Sequence, residues 1–379
     1  MGVYDELGLQ PVINAAATLT ALGGSRMPRP IVDEMVAAGR SFVDLREMQL
    51  RVGRRIAELT GNEAAYATSG AAAGIVVAVA SCIAGTDPAK ITAFPYLDGI
   101  ERCEVIVHRS QRNGYDYAAR QTGARLIEIG SAAADLHQAI SARTACVLWF
   151  AGAHFAEGAL PLPEVVGIAH ERGVPVLADA AAQIPPIANL WHFTREVGAD
   201  AAIFSGGKGL RGPQCSGLVL GRQEIVDGCR LNGNPNHSIG RPMKIGKEEL
   251  AGLLAAVEWS LDQDEGAILA GYESTVQGWI AGLAGIPGVT VERGYPSEAG
   301  QPHGRAIVHF QPPCPWTRDE VVKAFWEGEP CVAAGVPHGV DDAIALNPQT
   351  LEAGEEEIVL AKLQEILAGV PERPEAAIR

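Results

Sequence analysis

Six short runs constrain the fold of this chain most. They read CEVIVHR, ARLIEIG, TACVLWF, VPVLADA, DAAIFSG and SGLVLG, and all lie between residues 103 and 221. They are largely apolar and do not alternate polar with apolar. A strand with one wet face alternates, whereas a strand buried on both faces reads as a continuous apolar run, as in parallel sheets covered by helices. Helical patterning separates and precedes these runs. Leu45, Met48, Val52, Ile56 and Leu59 fall at helical spacing, and Gly61 follows as a stop. The alternation predicts a doubly wound α/β domain around a mostly parallel sheet.

The texture changes after the long helical pattern KEELAGLLAAVEWSLDQD, which begins at Lys247. GVTVERG and RAIVHFQ read as antiparallel strands, and TRDEVVKAFWEG and EEEIVLAKLQEILAG as amphipathic helices. At 379 residues the chain is long enough for a large domain and a smaller one. The expected division is a large α/β domain over 28–259 and a small α+β domain over 260–379. Residues 1–27 are expected to pack across the active site or onto the small domain.

Charge and composition narrow the function. The formal net charge is −15, which disfavours a general nucleic-acid surface, since phosphate backbones need a basic face. AAAGIVVAVASCIAG is too short to span a bilayer, so no membrane role is expected. The opening segment lacks a basic stretch, so no signal peptide is expected, and Glu6 breaks the myristoylation pattern. Seven scattered cysteines without a CxxC pair point to reduced thiols in a cytoplasmic protein. Nine histidines without an HExxH give no support for a metal.

Three motifs carry chemistry. In VPVLADAAAQIPP a strand ends on Asp179, at the end of a strand where open α/β sheets bind ligands. A helix cap explains an isolated Asp there equally well. In AYATSGAAAG an extended run stops at Ser69-Gly70 and a helix of small residues begins. This suits a phosphate held by free N–H groups, or a plain cap with tight Ala packing. In DAAIFSGGKGLRG a strand ends on Ser205, and Lys208 follows among glycines. The stretch is not a P-loop, because Gly209 stands where Ser or Thr should follow the lysine, and TSGAAAG is not GxGxxG. Phosphate cup, strand-terminal Asp and strand-terminal Lys, in that order, are what pyridoxal 5′-phosphate needs. Its phosphate takes N–H donors and a hydroxyl, its pyridine nitrogen a carboxylate, and its aldehyde a lysine.

With these motifs the sequence resembles the fold-type I pyridoxal-phosphate enzymes, and within them the selenocysteine-synthase-like branch that includes ammonia-lyases of amino-sugar acids. INAAATLTALGGSRMP, VHRSQRNGYDYAARQTGARLIEIG, VLADAAAQIPP, FSGGKGLRGPQ and GRPMKIGKEELAGL carry the resemblance over nearly the whole chain. It implies the transferase-type fold of that class. Lys208 is implied as the Schiff-base lysine and Asp179 as the pyridinium partner. Ser69, Gly70, Ala71 and Ser205 are implied as the phosphate cup. His108, Arg109 and Gln111 occupy the loop expected over the cofactor, with Gln111 where relatives often carry His. Gln183 is expected to reach the cofactor ring or the substrate. Thr20, in the opening segment, and His154 are expected near the substrate. Relatives often carry an arginine late in the chain for the substrate carboxylate. EGEPCVAAGVPHG has none, which leaves Arg241, Arg26 or Arg305 for that task.

The implied function is a lyase that eliminates a β-substituent from a small, anionic 2-amino-3-hydroxy acid to give a 2-oxo acid and ammonia. Arg241, Lys244 and Lys247 are expected to receive an anionic tail, although a solvated helix start explains Lys247 equally well. Alternatives are a racemase or epimerase with His154 or His108 as the second acid, a selenium transferase acting on seryl-tRNA, and a non-catalytic cofactor-binding protein. The expected partner is an amino acid or amino-sugar acid, with a homodimer or larger homo-oligomer as the working form.

Overall fold

The structure is a computed structural model that describes residues 2–371. The chain folds as two units. One comprises Ser25–Gln263 together with Ala299–Gln301. The other comprises the residues up to Gly24, Asp264–Glu298, and the residues from Pro302 onward.

Twelve strands occur among the described residues: β1 (Val12–Ala15), β2 (Ala64–Thr68), β3 (Glu104–His108), β4 (Arg125–Ile129), β5 (Thr144–Phe150), β6 (Val176–Asp179), β7 (Ala201–Ser205), β8 (Gly217–Gly221), β9 (Val289–Gly294), β10 (Arg305–Phe310), β11 (Cys331–Ala334) and β12 (Ala343–Leu346). The larger unit holds a seven-stranded sheet in the order β2-β8-β7-β6-β5-β3-β4. All its ladders are parallel except the two that β8 makes with β2 and β7. All seven residues of β5 and all four of β6 are buried, which is why those runs do not alternate. One face packs Val52, Ile56, Val147, Val165 and Phe204; the other packs Val76, Val77, Leu148, Ile203 and Val219. Helices cover both faces, as the sequence pattern requires.

The helix Leu45–Thr60 starts on Asp44, whose side chain accepts from the N–H groups of Arg46 and Glu47. It ends at Gly61, as the stop signal predicts. The long pattern from Lys247 forms the helix Lys247–Leu261.

The smaller unit has a three-stranded antiparallel sheet, β12-β10-β9, and a parallel pair, β1-β11. Trp279, Phe325, Val308, Ile344 and Leu363 form its core. The pairing of β1 with β11 draws the N-terminal segment into this unit, because Val12 to Ala15 lie in register with Cys331 to Ala334. No helix among the described residues is long and apolar enough to cross a membrane.

Candidate active site

Three features of the larger unit meet at the carboxyl ends of its parallel strands. The first is Asp179, the last residue of β6, 7% exposed. Its Oδ1 accepts from the Ala181 N–H at 3.0 Å. Burial pushes its carboxyl up from 3.8 to about 6; the Ala181 N–H and the charge of Lys208 pull the other way. Asp179 therefore ends a strand as a carboxylate short of positive charge, a state that a cation beside it would relieve.

The second feature is the turn that carries Lys208. β7 ends at Ser205, and residues 206–210 form a tight turn. A Cβ at Gly209 would lie 2.0 Å from the Ile184 carbonyl oxygen, so only glycine fits there. The glycines let the turn sink against its neighbours while Lys208 stays half-buried at its crest. Ser25 holds this turn from below. Its hydroxyl donates to the carbonyls of Lys208 at 2.7 Å and Gly207 at 3.0 Å, and its N–H donates to the Gly207 carbonyl. Sequence reasoning missed Ser25, since nothing local marks a serine whose partners lie more than 180 residues away.

The third is the start of the helix Ala71–Ala84. No side chain caps it, and its first backbone bond runs from the Gly74 N–H to the Gly70 carbonyl. The N–H groups of Ala71 to Ala73 are thus the helix's unpaired donors. Ser69, Gly70 and Ala71 are half-buried. β8 presses against this start: a Cβ at Gly217 would lie 2.4 Å from the Gly70 carbonyl carbon. The result is an uncapped helix N-terminus at the strand ends, which suits an anion. Donors for a phosphate, a carboxylate for a ring nitrogen and a lysine for an aldehyde are all present, so the residues fit pyridoxal 5′-phosphate.

Several expected ligands have other work. Gln111 is fully buried. Its Nε2 donates to the Phe150 carbonyl at 3.0 Å, and its Oε1 accepts from the Phe150 N–H at 3.1 Å. The β3–β5 ladder registers only as far as Val147, and the Gln111 amide supplies the partner that Phe150 would otherwise lack. It is a clamp on β5. His108 is also fully buried, with its Nε2 accepting from the Leu160 N–H at 3.2 Å. Its Nδ1 has no hydrogen-bond partner, and burial lowers its pKa. Arg109 is exposed and points toward Glu128, 3.7 Å away. Gln183 donates through Nε2 to the carbonyls of Ala299 at 2.7 Å and Ala151 at 3.5 Å.

Arg241 is half-buried in a cavity of about 420 Å³ with Ile91, Phe94, Gln121 and His237, none of which lies at the end of a parallel strand. Its Nη1 donates to Asn234 Oδ1 at 3.4 Å. Lys244 is exposed, and Lys247 pairs with Glu248. Arg26 is exposed. His154 is exposed on the loop after β5. In the smaller unit, Thr20 is exposed at the start of a short 3₁₀ turn, and Arg305 lies 3.6 Å from Glu298. Among the described residues no group of three or more metal-type side chains gathers.

Comparison with known proteins agrees with this geometry. The family described as "SelA: L-seryl-tRNA selenium transferase" matches residues 116–268. A 5'-C-glycyluridine monooxygenase-decarboxylase from Streptomyces sp is 36% identical over 67% of this chain, and the match spans 64% of that protein. A D-glucosaminate-6-phosphate ammonia lyase from Salmonella typhimurium is 29% identical over 96% of this chain and 97% of its own. The solved structure of a D-glucosaminate-6-phosphate ammonia-lyase superposes with a TM-score of 0.83 at 28% identity, covering 97% of this chain and 98% of that one. The order of uncapped helix start, Asp179 and Lys208, the α/β sheet that presents them and these likenesses agree: the chain is a fold-type I pyridoxal-phosphate enzyme of the selenocysteine-synthase-like branch.

Proposed function

We propose that the enzyme is an ammonia-lyase that acts on a small, anionic 2-amino-3-hydroxy acid of the amino-sugar-acid class and yields a 2-oxo acid and ammonia. The observation that carries this reading is the buried Asp179 carboxyl at the end of β6, beside β7, whose following turn carries Lys208. The full-length likeness to an ammonia lyase selects the reaction among those such a site can run.

Bound at this site, pyridoxal 5′-phosphate supplies an aldehyde that captures amines and a ring that withdraws electrons. The chain does the rest. The N–H groups at the start of the helix Ala71–Ala84 and the Ser69 and Ser205 hydroxyls hold the phosphate. The Asp179 carboxylate keeps the ring nitrogen protonated. With the cofactor bound, the Lys208 amine would take the proton from the α-carbon; a positioned base of this kind contributes about 10²–10⁴ in rate. Loss of the β-hydroxyl as water would then give an enamine, which takes up water to yield the 2-oxo acid and ammonia.

Racemisation, selenium transfer to seryl-tRNA and a loss of catalysis are not favoured. A likeness at 29% identity over 96% of the chain is to a lyase, and a net charge of −15 opposes tRNA phosphates. A cytoplasmic location and a homodimer or larger homo-oligomer complete the proposal. Seven unpaired cysteines support the first.

The test is a panel of anionic 2-amino-3-hydroxy acids, including 2-amino-2-deoxy sugar acids with and without a 6-phosphate. Release of ammonia and a 2-oxo acid in equal amounts is expected. Exchange of the α-proton with solvent and no other product would indicate racemisation. Oxygen uptake with carbon dioxide release would indicate the chemistry named for the Streptomyces relative.

A further inference from the structure

Elimination of a hydroxyl requires an acid, because hydroxide is a poor leaving group and Lys208 is occupied with the α-proton. Two histidines compete for that task, and burial separates them. His108 is fully buried and neutral, with its Nε2 already accepting from Leu160. His154 is exposed in the short helical turn Ala153–Ala156, within the loop segment 151–160.

That loop leaves the sheet beside Asp179. Phe150, at the end of β5, is in register with Asp179, and the Ala151 N–H donates to the Asp179 carbonyl at 2.8 Å. Both feet of the loop are fixed. At the first, Gln111 clamps Phe150, and Gln183 donates to the Ala151 carbonyl. At the second, the Leu160 N–H donates to His108 Nε2, and the Leu160 carbonyl accepts from Trp149 Nε1 at 3.1 Å. Between the feet, the His154 ring lies on Phe155 with centroids 3.9 Å apart, and Phe155 lies 5.8 Å from Phe150. The imidazole is thus accessible yet tied through two aromatic rings to the last residue of β5.

We propose that His154 is the acid that protonates the departing β-hydroxyl, and that His108, Gln111 and Gln183 are positioning residues for its loop. The proposal rests on the lyase reading above. In the step, the α-proton passes reversibly to the Lys208 amine, and its bonding pair is held by the electron-withdrawing group joined to the substrate nitrogen; that pair then forms the Cα=Cβ bond. The Cβ–O bond breaks with its pair on oxygen, which takes a proton from the His154 imidazolium and leaves as water. Solvent then reprotonates His154.

The test uses the wild-type holoenzyme and His154→Gln in deuterated water, with the best 2-amino-3-hydroxy acid and its 3-chloro analogue. Chloride leaves without a proton, so the analogue bypasses the acid. In His154→Gln, α-deuterium exchange should stay within a few-fold of wild type, while 2-oxo acid formation from the hydroxy substrate should fall about 10²–10⁴-fold. Elimination from the chloro analogue should return to near the wild-type rate. Wild-type elimination of the hydroxy substrate by His154→Gln would overturn the assignment. So would an equal loss of exchange and of both eliminations, which would mark His154 as a structural residue. If the wild-type enzyme exchanges but never eliminates, the lyase reading fails, and the acid role fails with it.

Discussion

Gln111 and Phe150 exchange two hydrogen bonds, at 3.0 and 3.1 Å, across 39 residues of sequence. The glutamine side chain imitates a neighbouring strand at the point where the ladder between β3 and β5 has ended. Both members of the pair are almost completely buried.

Gln111→Ala should therefore act on stability first. It strands one N–H and one carbonyl away from water, at about 1–3 kcal/mol for each group left unsatisfied. The denaturant midpoint of the apoprotein should drop accordingly, while the folded variant still takes up a full complement of cofactor by absorbance. An unchanged midpoint with weakened cofactor binding would return Gln111 to the ligands.

Gly209→Ala tests the Lys208 turn. The added methyl would sit 2.0 Å from the Ile184 carbonyl oxygen, and neither backbone can retreat as a flexible side chain would. The expected result is a folded protein in which the lysine no longer captures the cofactor. A Gly209→Ala enzyme with normal visible absorbance would mean that the turn is looser than its packing indicates.

Asp179 predicts a pH effect in the apoprotein. Its carboxyl is raised from 3.8 to about 6, so the folded state prefers the protonated form. That preference contributes stability below about pH 4, and the contribution is lost as the pH rises through 6. A shift of about two units corresponds to roughly 3 kcal/mol, as an order of magnitude. Apo Asp179→Asn should hence unfold at a higher temperature than apo wild type at pH 8, and at nearly the same temperature at pH 4. With cofactor the order of activity reverses: Asp179→Asn should still form the lysine linkage but turn over far more slowly. Equal melting curves at both pH values would show that the carboxyl is not short of charge.

The sequence was legible where function depends on strand ends. VLAD and AIFS are each buried throughout or nearly so, end on a polar residue and lead directly into Asp179 or the Lys208 turn. The helix start at Ala71 was legible as a helix start, but the run of Ala and Gly after Ser69 reads equally as a plain cap with tight packing, and only its order before Asp179 and Lys208 favours an anion there. The remainder depends on partners that spacing cannot reveal. Gln111 and His108 lie in a segment that reads as a cofactor loop, but their partners are backbone groups of Phe150 and Leu160. Arg241 follows a chain path over the helix Ala71–Ala84, where Gly240 sits close to Val77, and its guanidinium ends in a separate cavity. The short strands β1, β11 and β12 carry four residues each and lie outside the repeated strand–helix alternation that marks the equally short β6.

The central claim is that Lys208 is the residue joined to pyridoxal 5′-phosphate, and borohydride reduction followed by peptide mass mapping tests it most directly. The purified holoenzyme should be yellow and lose its visible absorbance on reduction. A single modified peptide should then carry the reduced cofactor on Lys208. Modification of Lys90, Lys244 or any other lysine in its place would contradict the account.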